Sequence, residues 1–149
     1  MNLFALLLFL GAADCDATAD LARIAETAPR PYEVLAVART ESTWDYERVS
    51  TAGACGMMQT LGGRYGMPGC DLIRADHRLD VLLGLAHLRY WRRNCGAAYL
   101  DAYNGGWSKC WTRRIEATEW CRESVENMNV CQSYSRKVRA LERRYRRMR

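Results

Sequence analysis

The stretch from Pro31 to Gln59 constrains the fold more than any other part of the chain. Its first half is an apolar run that opens on a proline, whose missing N–H is harmless in the first turn of a helix, and closes on Glu41-Ser42. Val34, Val37 and Ala38 precede Glu41 by seven, four and three residues, so at helical spacing they share its face. The carboxylate is thereby aligned with the apolar stripe. Burial removes hydration from the charged form, so a carboxyl placed in this way is expected to keep its proton closer to neutrality, as a general acid requires. Position alone is not decisive, because a glutamate one turn from a helix end is commonly a solvated rim residue. The residues beyond Ser42 are more specific: a polar segment, then the glycine-punctuated turn Gly53-Ala54-Cys55-Gly56 leading into Met57-Met58-Gln59.

The cysteines bound the rest of the architecture. Of seven, Cys15 lies near the N-terminus; the other six are Cys55, Cys70, Cys95, Cys110, Cys121 and Cys131, at spacings of 15, 25, 15, 11 and 10. An even set in a small domain reads as a disulfide framework of three bridges, which can be paired in 15 ways. No C-x-x-C pair occurs, which argues against a zinc site and a redox thiol. Residues 1–19 read as a signal peptide, since Leu3 to Leu10 is an unbroken apolar run followed by small residues, although no Lys or Arg precedes it. Cleavage after Ala19 would follow the Ala17-Thr18-Ala19 pattern and remove Cys15; a cut after Ala13 and a retained, buried N-terminal helix are the alternatives. The run is too short for an ordinary transmembrane helix. The expected localisation is export, to the periplasm or to the extracellular space in association with the cell wall.

Residues 20–149 are then one domain of ordinary globular composition, 49% hydrophobic and 26% charged. The net charge of +5 is unevenly placed: residues 132–149 carry eight Lys or Arg and one Glu, giving +7, and the remainder is −2. A solvated helix end accounts for such a tail, as does attraction to anionic wall polymers; nucleic acid is not expected of an exported protein.

Helical patterns are expected over Asp20 to Ala28, from Pro31, over Asp76 to Arg92 with Leu79, Leu82, Leu83, Ala86 and Tyr90 at core spacing, and from Gly96 to Asn104. The glycines and proline between Gly62 and Gly69 mark a loop. His77 and His87, ten residues apart without a ligand cluster, read as surface or cap residues. Among five tryptophans, Trp44 and Trp107 are the candidates to stack on a sugar, with core packing as the alternative.

Glu41-Ser42, Ser50 and Gly53-Ala54-x-Gly56-Met57-Met58-Gln59 together resemble the lysozyme-like soluble lytic transglycosylases, which carry an E-S pair followed by S-x-x-G-A-x-G-L-M-Q. Ala102-Tyr103-Asn104-Gly105-Gly106 resembles that family's A-Y-N-x-G element, and Tyr134-Ser135-Arg136-Lys137-Val138 its Y-V-x-K-V. The likeness runs from about Glu33 to Val138, with Met57 in place of leucine and a glycine-rich loop after Leu61 as departures. It implies a mainly α, lysozyme-like single domain with disulfides and no cofactor or metal. It further implies that the chain cleaves the MurNAc–GlcNAc link of peptidoglycan glycan strands and forms 1,6-anhydroMurNAc. Glu41 would act as general acid and then base, and Ser50, Met58, Gln59, Tyr103, Asn104 and Tyr134 would line the substrate. Two alternatives remain, a goose-type lysozyme-like hydrolase and a non-catalytic wall-binding or virion structural module.

Overall fold

In the computed structural model, which describes residues 1–64, 66–112 and 125–148 and the side chains of 1–64, 66–107, 109–110 and 134–148, the chain is mainly helical, with 68% of the described residues in helices. It carries one very small sheet among the described residues. The residues group into two compact units, 1–85 with 141–149, and 86–140.

The first unit opens with α1 (Leu3–Phe9), capped by the Asn2 side chain, which accepts the Ala5 N–H at 2.8 Å. Leu3, Leu6 and Leu7 are buried, and α1 packs on α2 (Cys15–Glu26). Asp14 caps α2 by accepting the Ala17 N–H at 2.7 Å, so this helix starts five residues before the expected Asp20 and contains the Ala17-Thr18-Ala19 pattern within it. α2 packs in turn on α3 (Pro31–Ser42), which has Pro31 in its first turn as the sequence suggested. From Glu33 to Ala38 every α3 side chain is buried, with the Arg30 guanidinium 3.1 Å from the Glu33 carboxylate.

After α3 the chain forms a two-residue hairpin, β1 (Ala54–Cys55) antiparallel to β2 (Thr60–Leu61), with Ala54 opposite Leu61 and Cys55 opposite Thr60. Residues 62–64 and 66–69 are loop, as their glycines predict. Then come α4 (Cys70–Ala75) and α5 (His77–Cys95), whose start is capped by Asp76 accepting the Arg78 and Leu79 N–H groups, each at 3.0 Å. A disulfide joins Cys55 on β1 to Cys70 at the start of α4.

The face of α5 differs from the expected one. Leu82 and Tyr90 are exposed at 52% and 45%, Ala86 is exposed, and Leu79 and Leu83 are half-buried; Asp80, Val81, Gly84, Leu85, Leu88 and Trp91 face inward instead. Leucines occupy both sides of this helix, so their spacing fits either face. The deciding contacts are at Asp80 and Gly84. A Cβ on Gly84 would stand 2.5 Å from the Met58 Cβ, so this side of α5 must approach the hairpin loop closely.

The second unit continues α5, passes through a 3-10 turn (Gly96–Ala98) and enters α6 (Tyr99–Thr112). The helix runs past Asn104 rather than stopping there; the break falls at Gly106, whose φ of 68° and ψ of −156° interrupt the helical backbone. Cys95 and Cys110 form a second disulfide around this segment. Cys15 is free and exposed, and Cys121 and Cys131 lie outside the described side chains. The C-terminal helix (Val125–Arg147) belongs to the second unit up to Ala140 and to the first from Leu141, where Glu142 and Tyr145 are buried. No helix among the described residues is long and apolar enough to cross a membrane.

Each bridge closes a loop of 15 residues. Loop-closure entropy for that length is worth about 3 kcal/mol. Replacing Cys55 and Cys70 together by serine should therefore lower the unfolding free energy by about that amount, read as a shift in the urea midpoint, with the Cys95 and Cys110 pair giving a loss of similar size. An unshifted midpoint would mean that the bridge contributes nothing.

Candidate active site

Glu41 sits in the last turn of α3, half-buried, at the point where the apolar stripe of Val34, Val37 and Ala38 reaches the surface. Immediately after Ser42 the backbone turns left-handed at two consecutive residues, Thr43 at φ 62° and Trp44 at φ 67°. Neither is glycine, and such conformations cost on the order of 1–3 kcal/mol each unless the surroundings hold them. Trp44 is the holding group. Its indole N–H donates to the Leu35 carbonyl at 3.1 Å, its ring packs 6.4 Å from Tyr145, and the Arg39 guanidinium lies 4.6 Å over it. A buried indole locked in this way is a structural group, so Trp44 does not offer the sugar-stacking face considered for it.

The hairpin loop supplies the next group of candidates. The Ser50 Oγ accepts the Ala54 N–H at 3.0 Å, which ties the entry of the loop to β1. Gln59 at its exit is left-handed too, at φ 50°, and its side-chain amide donates to the Arg48 and Gly56 carbonyls at 3.1 and 2.9 Å. Met58 is completely buried against Gly84. The loop is also fastened to both neighbouring helices. From α3, the Ser42 hydroxyl lies 2.9 Å from the Met57 carbonyl and 3.0 Å from that of Ala38. From α5, the Asp80 carboxylate accepts the Met57 N–H at 2.5 Å and the Met58 N–H at 3.2 Å. A Cβ on Gly56, whose φ is +79°, would stand 2.5 Å from that carboxylate, so glycine is required twice over at this position.

In the second unit Tyr103 is buried, its ring 4.9 Å from that of His87. His87 is half-buried rather than a surface residue; its Nε2 accepts the Trp91 indole N–H at 2.6 Å, and burial lowers its pKa, which favours the neutral, accepting form. Asn104 is exposed one residue further on. Beyond the break at Gly106, Trp107 is 45% exposed and meets Trp91 and Tyr90 edge-on at 5.2 and 6.2 Å. Tyr134 is half-buried on the C-terminal helix, and the N–H of the adjacent Ser135 donates to the Asp101 carboxylate on α6 at 3.2 Å. Within this unit, then, the segments bearing Tyr103, Asn104 and Tyr134 are tied together. The first unit does the same for Glu41, Ser50, Met58 and Gln59.

Sequence reasoning missed Asp80 altogether and gave Ser42 no role of its own. A mid-helix aspartate ordinarily reads as solvated; the one available signal was that Asp80 stands in helical register with Gly84. Among the described residues no three His, Cys, Asp or Glu side chains gather as a metal site.

The family model for the transglycosylase SLT domain matches residues 22–119, about two thirds of the chain. That span takes in Glu41, Ser50, Met58, Gln59, Tyr103 and Asn104 and leaves Tyr134 outside it. No curated protein and no solved structure gives a significant match.

Burial raises the Asp80 pKa from 3.8 to about 7, against the two N–H groups of Met57 and Met58, which pull it down. Between the unfolded value and about pH 7 the native state thus holds a proton that the unfolded chain has released. The associated stability is fully present below about pH 4 and is lost as the pH rises through about 7. Asp80→Asn cannot titrate, so the stability of wild type relative to this variant should fall between pH 4 and 7, by at most about 1.4 kcal/mol per unit. Urea unfolding at a series of pH values checks this, and parallel curves would refute it.

Proposed function

We propose, from the premise that the chain belongs to the transglycosylase SLT domain family, that it is a lytic transglycosylase that cleaves the MurNAc–GlcNAc β-1,4 bond with formation of 1,6-anhydroMurNAc. Peptidoglycan as the substrate class follows from the family, whose members act on it outside the cytoplasm. The observation that carries the finer reading is the setting of Glu41. It stands half-buried at the end of a helix that is buried from Glu33 to Ala38 and again at Ser42, beside a loop fixed in place by the E-S and G-A-x-G motif residues themselves. A partly desolvated carboxyl in such a place suits proton donation to the leaving glycosidic oxygen. The oxocarbenium-like centre would be stabilised by the substrate's own acetamido oxygen, and Glu41, now ionised, would take the proton of the C6 hydroxyl as that oxygen closes on the anomeric carbon.

The nearby acids favour this route over hydrolysis. A hydrolase of the two-carboxylate type needs a second carboxyl about 5–9.5 Å from the first. The two acids that come next after Glu41 in the chain are engaged elsewhere: Asp45 accepts the Glu47 N–H at 2.9 Å, and Glu47 pairs with Arg74 at 3.2 Å. Ser50, Met58 and Gln59 would shape the substrate-facing loop through its backbone, with Tyr103, Asn104 and Tyr134 as the further saccharide contacts implied by the family motifs.

Export belongs to this reading, with residues 1–19 as the leader. A cut after Ala19 would remove the buried Ala17 and Thr18 along with the exposed thiol of Cys15, whereas a cut after Ala13 leaves α2 whole and keeps that thiol. The mass of the secreted protein distinguishes them.

Two experiments test the proposal. Glu41→Gln keeps the shape and removes the proton, so cleavage of purified peptidoglycan should fall by about 10²–10⁴-fold while the melting curve stays in place. The wild-type digest should contain muropeptides lighter by one water than hydrolytic products and inert to borohydride; products that are all reducible would leave the lysozyme-like alternative standing, and no cleavage at all the wall-binding one. The second concerns the basic end of the C-terminal helix as a contact for anionic wall polymers. Arg143, Arg144 and Arg147 are exposed there, while Tyr145 is buried beside Trp44, so truncation would damage the core. Changing those three arginines to glutamine should weaken wall binding at low ionic strength, with the difference vanishing in high salt. Equal binding at low salt would leave the tail as a solvated helix end.

A further inference from the structure

Asp80 is completely buried, and among the described residues no cation pairs with it. Its hydrogen-bonding partners are two consecutive backbone N–H groups, those of Met57 and Met58. Burying a carboxylate without a counter-ion is costly, so what it holds must matter to the fold or the site. The geometry of one peptide bond says what that is. In a trans peptide the carbonyl and the following N–H point in opposite directions. The Met57–Met58 peptide gives its N–H to Asp80 on α5, and on its other side its carbonyl accepts the hydroxyl of Ser42, the residue after Glu41 on α3. One rigid, planar unit is thereby clamped from both ends. The end of α3 needs such a clamp, because Thr43 and Trp44 hold left-handed backbone directly after Ser42. The neighbouring Met57 N–H bond to the same carboxylate, and the absence of a Cβ at Gly56, keep the peptide from rotating away.

We propose that Asp80 is a positioning residue for the reaction: by fixing the Met57–Met58 peptide it sets Ser42, and with it the turn that aims Glu41, against the hairpin loop. Asp80 touches no substrate in this arrangement and exchanges no proton in the reaction. It acts through one peptide and one hydroxyl. The inference rests on the reading of Glu41 as the acid, and its effect is on alignment, where an error of about 1 Å can cost on the order of 10²-fold in rate.

The test combines kinetics on soluble glycan fragments with amide NMR. Asp80→Ala removes both acceptors, and Asp80→Asn keeps one and sets an NH2 group against the other N–H. At a temperature where each variant is folded by circular dichroism, kcat should fall about 10- to 100-fold for Asp80→Ala and less for Asp80→Asn, with KM changed less than about threefold. Ser42→Ala breaks the other end of the clamp, so the Ser42→Ala, Asp80→Ala double variant should lose little more than the worse single one. Additive losses, or an unchanged kcat in folded Asp80→Ala, would overturn the proposal. If Asp80→Ala does not fold, the Asp80→Asn and Ser42→Ala pair supplies the same cycle. The NMR arm is independent of activity: the Met57 and Met58 amide protons should resonate far downfield and exchange slowly in the wild type. In Ser42→Ala the Met58 amide should move although Asp80 is intact, and unmoved resonances would count against the clamp. A wild-type protein that does not cleave glycans, with those amide signatures present, would instead sink the reading of Glu41.

Discussion

Two backbone N–H groups donated to a buried carboxylate set the form of the first unit. The Asp80 side chain can reach Met57 and Met58 only if α5 lies close against the hairpin loop, and that closeness dictates glycine at two positions, Gly56 beneath the carboxylate and Gly84 beneath Met58. Once the loop is seated, the Met57 carbonyl lies within reach of Ser42, and the end of α3 is secured in its left-handed exit. The disulfide from Cys55 to Cys70 then fastens the outer side of the same hairpin. The interactions support one another, which is the condition for a single well-defined arrangement rather than several competing ones.

The sequence was most readable where local chemistry left no choice. Pro31 could begin a helix and could hardly stand within one, and the apolar residues after it were continuous enough to identify α3 as buried. The glycines between 62 and 69 likewise excluded regular structure. It was least readable where two faces of a helix were equally apolar. On α5, leucines at 79, 82 and 83 suggested one face, and the structure selected the other because hydrogen bonding to Asp80 and the approach to Gly84 are satisfied only there. Those requirements come from residues more than twenty positions away in the chain, so periodicity could not express them.

Among the candidate site residues, the motif drew attention to segments that the structure ties together within each unit, but said little of what each side chain does. Ser50 and Gln59 were expected as substrate contacts, and in the structure both spend hydrogen bonds on the loop's own backbone. Met58 is completely buried, and the ring of Tyr103 packs at a tilt against that of His87. Trp44 proved to be a core residue whose indole proton is satisfied by the Leu35 carbonyl, while Trp107, offered the same role from the same kind of reasoning, is half-exposed beyond the break at Gly106. The difference lies in backbone conformation at neighbouring residues, which composition does not reveal.

The two disulfides have a further consequence through their order in the chain. Cys55 pairs with Cys70 and Cys95 with Cys110, so the first loop is closed before the second begins and neither bridge encloses or crosses the other. A polypeptide oxidised as it emerges from its N-terminal end meets Cys70 when Cys55 is the nearest upstream thiol, and meets Cys110 when Cys95 is. With Cys15 removed by a cut after Ala19, nearest-neighbour pairing in order of emergence would yield both bridges directly, without the slow thiol–disulfide reshuffling that interleaved pairs demand; with Cys15 retained, Cys55 would meet that thiol first.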